Sequence, residues 1–412
     1  ILYDRPLSMG FDLASLGFPS ALVNRLDRKT TTFPEIVPSG YASLGAPSGL
    51  RPVTTYHTFS GSAMHLRGNH SVRLGGEWRV LQENNYDYGA VSPRIEFAMA
   101  WTRGPMDNSP TAPIGQCLAS FLLGLPTGGY IDRAASYAQQ SSFTSLYLHD
   151  DWKVTPRLTV NAGLRWELET PVTERFNRTT RGFDFTSSNP IQAGAQAAYA
   201  KAPIREVPPD QFRTLGGLLF AGVGGVPRSL FEADPNNFSP RLGLAWRPRE
   251  KSVVRAGYGV FFTSIGADRS DVVQQGFDQR TSLTPSLDNG LTFRATLANP
   301  FPDGILEPAG ATAGLKTYLG RSPSFFWPQR KPGYMQRWSL SVQQEFPHRV
   351  LLEVGYLGNR GTGLGLGEDF SPTPARYLSR SPVRDQATID YLSQAVPNPF
   401  YGMPEFAGSG LQ

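Results

Sequence analysis

The stretch Leu158-Thr159-Val160-Asn161-Ala162-Gly163-Leu164-Arg165-Trp166-Glu167-Leu168 places its apolar side chains at even positions and Thr, Asn, Gly, Arg and Glu at odd ones. Side chains alternate between the two faces of a β-strand, so this period of two predicts a strand with one apolar face. A second alternating run, Ser145–Trp152, lies upstream across Lys153-Val154-Thr155-Pro156-Arg157. Pro156 fixes φ and removes a backbone donor, so the chain must turn there and the two runs read as an antiparallel hairpin.

Working outward, the arrangement recurs three times. Leu242, Leu244 and Trp246 alternate with polar or small residues, turn at Arg247–Lys251, and return through Val254, Ala256, Tyr258, Val260 and Phe262. Trp338, Leu340 and Val342 turn at Phe346–Arg349 into Val350, Leu352, Val354 and Tyr356. Tyr56–Leu66 turns at Arg67–His70 into Val72, Leu74, Trp78 and Val80. Eight strands in four hairpins follow, at about 53–82, 143–169, 238–262 and 335–358.

The connections are asymmetric. Turns inside hairpins take about five residues, whereas 171–237 and 263–333 are long and full of Pro, Gly, Asn and Ser. Loops above ~15 residues are uncommon in compact soluble domains. Short turns at one end and long loops at the other are expected of an all-β, antiparallel transmembrane outer-membrane β-barrel, with periplasmic turns and extracellular loops. The 412 residues would form a partial wall of such a barrel. Composition agrees: Gly and Pro supply 78 of 412 residues and charged residues only 18%, against about 25% charged in an average chain. No apolar run approaches the ~18 residues of a membrane helix, so any crossing must use strands. The net charge of +5 is spread along the chain without a basic run, which argues against nucleic acid as a partner. Cys117 is the lone cysteine and cannot form an internal disulfide. The opening Ile1–Pro6 has neither a basic nor an apolar segment of an export signal, so the chain reads as a mature or truncated fragment.

Trp and Tyr test the barrel. On the even face Trp152, Trp246 and Phe346 fall beside the short turns, while Trp78, Trp166, Trp338, Tyr258 and Tyr356 fall further along the strands. Eight residues at ~3.4 Å each, tilted about 40°, rise on the order of 20 Å, close to the ~25 Å between two aromatic girdles. These eight residues are therefore expected at the membrane interface, in contact with outer-membrane lipid. A soluble sandwich has no reason to confine them to two levels. Arg73, Glu77, Arg165, Glu167, Arg241, Arg255, Arg337, Glu345 and Glu353 occupy odd positions and would line the interior, as would His57 and His65.

Ser145-Leu-Tyr-Leu-His-Asp-Asp-Trp-Lys-Val-Thr-Pro-Arg-Leu-Thr-Val-Asn-Ala-Gly-Leu-Arg-Trp-Glu167 resembles the hairpin signature of TonB-dependent receptors, in the Oar-like group with a carboxypeptidase-regulatory-like amino-terminal domain. His70–Arg79, Ser120–Pro126, Asn237–Ala245 and Gln336–Gln344 are similar to further segments of that group, in the same order across residues 50 to 360. The resemblance implies a 22-stranded outer-membrane barrel of a Gram-negative cell, plugged by an amino-terminal domain, that imports a surface-bound ligand using force transmitted by TonB. The sequence departs from it in having no plug, no TonB box and no terminal aromatic; TonB would be reached through a missing amino-terminal part.

Chemical motifs are sparse. No Gly-x-Ser-x-Gly or His-Glu-x-x-His occurs, no cofactor or metal site is expected, and the chain reads as a non-enzymatic transporter. His57, His65 and His70 read as solvated histidines, and His149-Asp150-Asp151 as hydrated groups beside a turn. Gly361–Gly367 reads as a flexible loop without the last glycine of a nucleotide fingerprint. Ligand capture would use the long loops, with Trp101, Tyr130, Trp327 and the Phe325-Phe326 pair as candidates. The rival readings are a passive porin or adhesion barrel and a soluble secreted all-β carbohydrate-active or binding protein.

Overall fold

The computed structural model describes residues 8–45, 50–87, 89–104, 110, 115–264, 275–370, 372–407 and 409. Its largest feature is a continuous antiparallel wall of eight long strands: β1 (Leu50–Arg67), β2 (His70–Asp87), β3 (Tyr137–Thr155), β4 (Leu158–Glu169), β5 (Asn237–Arg249), β6 (Ser252–Phe262), β7 (Tyr334–Phe346) and β8 (Val350–Thr362), each paired with its neighbours in chain order. The wall is not closed: β1 and β8 form its two edges. A tilted strand crosses a bilayer in about 9–11 residues. The 18, 18 and 19 residues of β1, β2 and β3 therefore run several residues past the membrane toward the long connections. Among the described residues no helix is long and apolar enough to cross a membrane.

The even-face alternation survives across seven strands because the pairing register preserves it. Trp152, Val160, Leu244, Ala256, Leu340 and Tyr356 form one continuous apolar row from β3 to β8. A two-residue turn alone inverts parity between strands. In β3–β4 and β5–β6 a register shift beside the turn restores it, and in β7–β8 the connection has three residues. The β1–β2 turn at Gly68-Asn69 has no such shift, so Arg67 opposes His70 and every odd residue of β1 lies on the even face of β2. His57 therefore opposes Val80, His65 opposes Val72, and Phe59 stacks on Trp78 at 5.5 Å. This corrects the assignment of His57 and His65 to the interior: they lie on the apolar outer face, and Tyr56, Thr58 and Ser60 face inward.

The long connections all leave the wall at the end opposite its short turns, and they fold. Residues preceding β1, the β2–β3 connection and part of the β6–β7 connection build a four-stranded sheet ordered Glu35–Pro38, Arg94–Phe97, Gly128–Arg133, Gln279–Ser282, with the first pair parallel. It covers a core centred on Leu13, Ile95, Phe97 and Ile131, all at most 1% exposed. The β4–β5 connection adds a two-stranded sheet, Thr180–Ser188 with Leu215–Phe220, and the helix Gln192–Tyr199. The segments 171–237 and 263–333, expected as open Pro/Gly loops, thus contribute to a packed cap. Its joint to the wall is buried Glu174, which accepts from Ala138 N at 2.9 Å, Phe176 N at 2.7 Å and Arg178 N at 2.8 Å. Gly361 and Thr362, expected in a loop, end β8, and Gly363–Gly367 continues past it without a helix.

Candidate functional site

Odd positions of β2–β8 share the face opposite the apolar row, and their side chains form charged ladders. Glu77, Ser145, Glu167 and Asn237 occupy one register row; Tyr147, Arg165 and Ser239 occupy the next. Arg165 Nε donates to Glu167 Oε1 at 2.5 Å and its Nη2 lies 3.9 Å from Glu77, which also accepts from Arg79 Nη2 at 3.0 Å. Arg79 and Arg165 lie 5.1 and 5.9 Å from the centre of the Phe143 ring. Two cations thus share one aromatic ring and two carboxylates, a compensated group suited to a polar interior. Beside it Ser145 Oγ, Asn237 Oδ1 and Ser239 Oγ are buried without a partner. Buried polar groups cost free energy unless a water or another molecule satisfies them, so this face is built to be met by something polar.

Where these ladders reach the cap, a cavity of about 460 Å³ opens, lined by Tyr56, Arg79, Phe143, Arg165, Glu167 and Glu232. A second cavity of about 540 Å³ lies within the cap, with Arg181, Phe183, Phe185, Phe325 and Trp327 in its lining, and Glu232 borders both. Burial pulls the Arg181 pKa down, against the opposing influence of Glu232. Nearby, the Ser187 hydroxyl and the Ser187 and Thr186 N–H groups hold the Asp184 carboxyl down at about 2.

The loop aromatics expected to meet ligand separate into two groups. Trp101 Nε1 donates to Pro126 O at 2.9 Å and its ring meets Phe293 edge-on, Arg280 lies 3.5 Å over Tyr130, and Phe326 packs on Phe231 under Arg330. These three hold the cap together. Phe325 and Trp327 instead join Phe183, Phe185 and Phe370 in a partly exposed ring cluster. Sequence reading missed Arg181, Phe183, Phe185 and Phe370. The alternation Phe183-Asp184-Phe185, which puts two rings on one strand face, was the available signal.

The eight interfacial candidates lie on the even face. Trp78, Trp152, Trp246, Tyr258, Phe346 and Tyr356 are exposed there, Trp166 and Trp338 half-buried. Tyr258 opposes Trp338 in the register, and Trp166 Nε1 donates to Pro235 O at 2.7 Å. His149-Asp150-Asp151 splits across the wall: His149 Nε2 pairs with Asp151 at 2.9 Å on the inner face, while Asp150 meets His70 at 2.6 Å on the outer face, where His70 stacks on Trp152. Among the described residues no three His, Cys, Asp or Glu side chains converge as a metal site.

A family model described as outer membrane beta barrel domain matches residues 5–406. No curated protein matches the chain. Solved structures similar to it include the alcaligin outer membrane receptor FauA from Bordetella pertussis, 11% identical with a TM-score of 0.33 over 81% of this chain and 34% of that one. The Serratia marcescens hemophore receptor HasR is 11% identical with a TM-score of 0.32, over 77% of this chain and 34% of that one. The siderophore receptor PiuA from Acinetobacter baumannii is 12% identical with a TM-score of 0.29, over 74% and 32%. The chain spans about a third of the length of these structures.

Proposed function

The chain belongs to the outer membrane beta barrel domain family and hence to the outer membrane, and from that premise we propose that it is the wall and surface cap of a TonB-dependent receptor of the Oar-like group. Such a receptor captures a ligand outside the cell and imports it without chemically changing it. The observation that carries this reading is the one-sided architecture. The described parts of the long connections fold into a cap at one end of the wall, and a cavity lined by Glu232 of the cap and by Arg79, Arg165 and Glu167 of the charged inner face lies where the two meet. The hairpin resemblance of Ser145–Glu167 supplies the TonB-dependent part of the reading. The Arg79–Glu77–Arg165–Glu167 group and the unpartnered side-chain oxygens of Ser145, Asn237 and Ser239 would then hold a plug. The eight even-face aromatics would sit in the lipid interface. The unpaired edges of β1 and β8 would meet further strands, because each unsatisfied backbone group in lipid costs several kcal/mol.

The test uses the full-length parent in liposomes. A plugged receptor admits no raffinose in a swelling assay and retains the purified carboxy-terminal domain of TonB on a column. Free raffinose flux without TonB retention would overturn the reading in favour of a passive porin. Orientation is checked on whole cells: a Cys at exposed Leu291 in the cap should react with an impermeant maleimide and one at Thr155 should not, with buried Cys117 as a silent background. Asn189, which lies in a long loop by sequence, is buried and bonded to Gly216 O and Leu315 O, so it is unsuitable as an outside marker.

A further inference from the structure

We propose that the cap cavity bordered by Arg181 and the Phe183–Phe185–Phe325–Trp327 rings is a binding site for a small planar aromatic carboxylate, whose ring lies on the exposed ring faces and whose carboxylate accepts from Arg181. The proposal deepens the receptor reading and rests on it for the site's facing the cell exterior. Three observations converge on this chemistry.

The first is the cation. Arg181 is only 5% exposed, and its Nε is buried without a hydrogen-bond partner. No carboxylate lies within ion-pair distance of it among the described residues; Glu232, whose charge acts on it from further away, is exposed and approached by Gln329 at 3.5 Å. A buried cation without a bonded anion is costly, and a guanidinium presents a planar fork of donors that matches a carboxylate. The second is the ring surface. Phe185 and Trp327 are nearly parallel at 17° and 5.9 Å, and Phe183 and Phe325 at 25° and 5.8 Å. These spacings leave no room between the rings, so a ligand ring would lie over them, against Trp327 at 55% and Phe185 at 40% exposure. Rings of this kind favour an offset aromatic partner beyond simple apolar burial. The third is the space. The cavity of about 540 Å³ falls within the ~300–1,000 Å³ typical of small-molecule sites. Gly182, Gly224 and Gly225 contribute to its lining, and a Cβ on any of them would meet open space. At these three positions no side chain narrows the cavity.

The test titrates the full-length parent, folded in detergent, with 2-naphthoate, 2-naphthamide and cyclohexanecarboxylate by calorimetry. Naphthoate should bind at least about tenfold more tightly than the amide, the scale of losing a charge-assisted hydrogen bond. It should also bind roughly three- to tenfold more tightly than the saturated acid, the scale of an aromatic pair. Arg181→Gln should bring naphthoate to the level of the amide. Trp327→Ala should weaken both aryl probes together and leave their ratio unchanged. Heat-modifiable migration monitors the fold of each variant. Should Arg181→Gln fail to fold, the probe ratios in the unaltered protein and in Trp327→Ala decide the matter. Equal binding of all three probes, no binding, or a folded Arg181→Gln protein that still prefers naphthoate would overturn the proposal. The titration needs neither TonB nor an energised membrane. Naphthoate selectivity in a parent that passes raffinose freely would therefore remove the receptor reading and keep the site, whereas a plugged, TonB-binding parent without selectivity would remove only the site.

Discussion

The wall and the cap use the same apolar residues in opposite senses. In the wall Leu148, Leu242 and Val354 are 56%, 57% and 63% exposed, while charged Glu77 and Arg165 turn inward; in the cap Ile95, Phe97 and Ile131 are wholly buried. Water drives apolar groups inward, and a bilayer offers them an apolar surroundings outside. A contiguous apolar face as large as the wall's would be an aggregation hazard in water and is a fit for lipid. One chain thus carries two solvent codes, separated by a joint at Glu174 where β3 passes from wall to cap.

If the two regions obey different solvents, damage to one should leave the other standing. Phe97→Ala empties a fully buried ring position and should cost the cap about 3–5 kcal/mol. Protease sensitivity of the cap should rise while heat-modifiable migration of the wall persists; joint loss of both would make them a single cooperative unit. In the wall, Val160→Arg or Leu244→Arg places a charge toward lipid and should cost ~2–4 kcal/mol near the midplane. Thr159→Arg, facing inward, should be mild in the same liposome-folding assay. At β1 the parity inverts, so Ala63→Arg, opposite Leu74, should be the damaging change and Ser62→Arg the tolerated one. The reverse result would place a bulge at the Gly68-Asn69 turn.

The smallest expected effect concerns pH in the cap. The Asp184 carboxyl, held at about 2 by Ser187 and Thr186, lies below its ordinary 3.8. A depressed folded-state pKa contributes stability that is complete above the ordinary value and disappears as pH falls through the folded one. The strand Thr180–Ser188 should therefore loosen between about pH 4 and pH 2. Trp327 fluorescence, reporting on Phe185 beside it, should follow this titration, and Asp184→Asn should flatten it.

Several features were legible in the residues alone. The strands around Leu158–Leu168, Leu242–Phe262 and Trp338–Tyr356 announce themselves because alternation is local: adjacent side chains point to opposite faces wherever the strand lies. The turn at Pro156 and the crowding of long connections at one end are equally local, and together they sufficed for a barrel wall with an inner and an outer face. Face assignment along β1 was not legible. It depends on whether a register shift accompanies the turn, and Arg67–His70 carries no side-chain mark distinguishing a plain two-residue turn from a bulged one. The cap was illegible for a stronger reason. Its core joins Leu13 from the segment before β1, Ile95 and Ile131 from the β2–β3 connection and Ala295 from the β6–β7 connection, segments with no periodicity of their own. Arg181 carries no distinguishing mark in the sequence; packing alone buried it beside Phe325 and Trp327, more than a hundred residues away. Sequence by itself determined the strands of the wall and the facing of all but β1, because period two needs only neighbours. Tertiary structure alone decided the cap and its cavity, because burial and charge compensation depend on which distant segments come together.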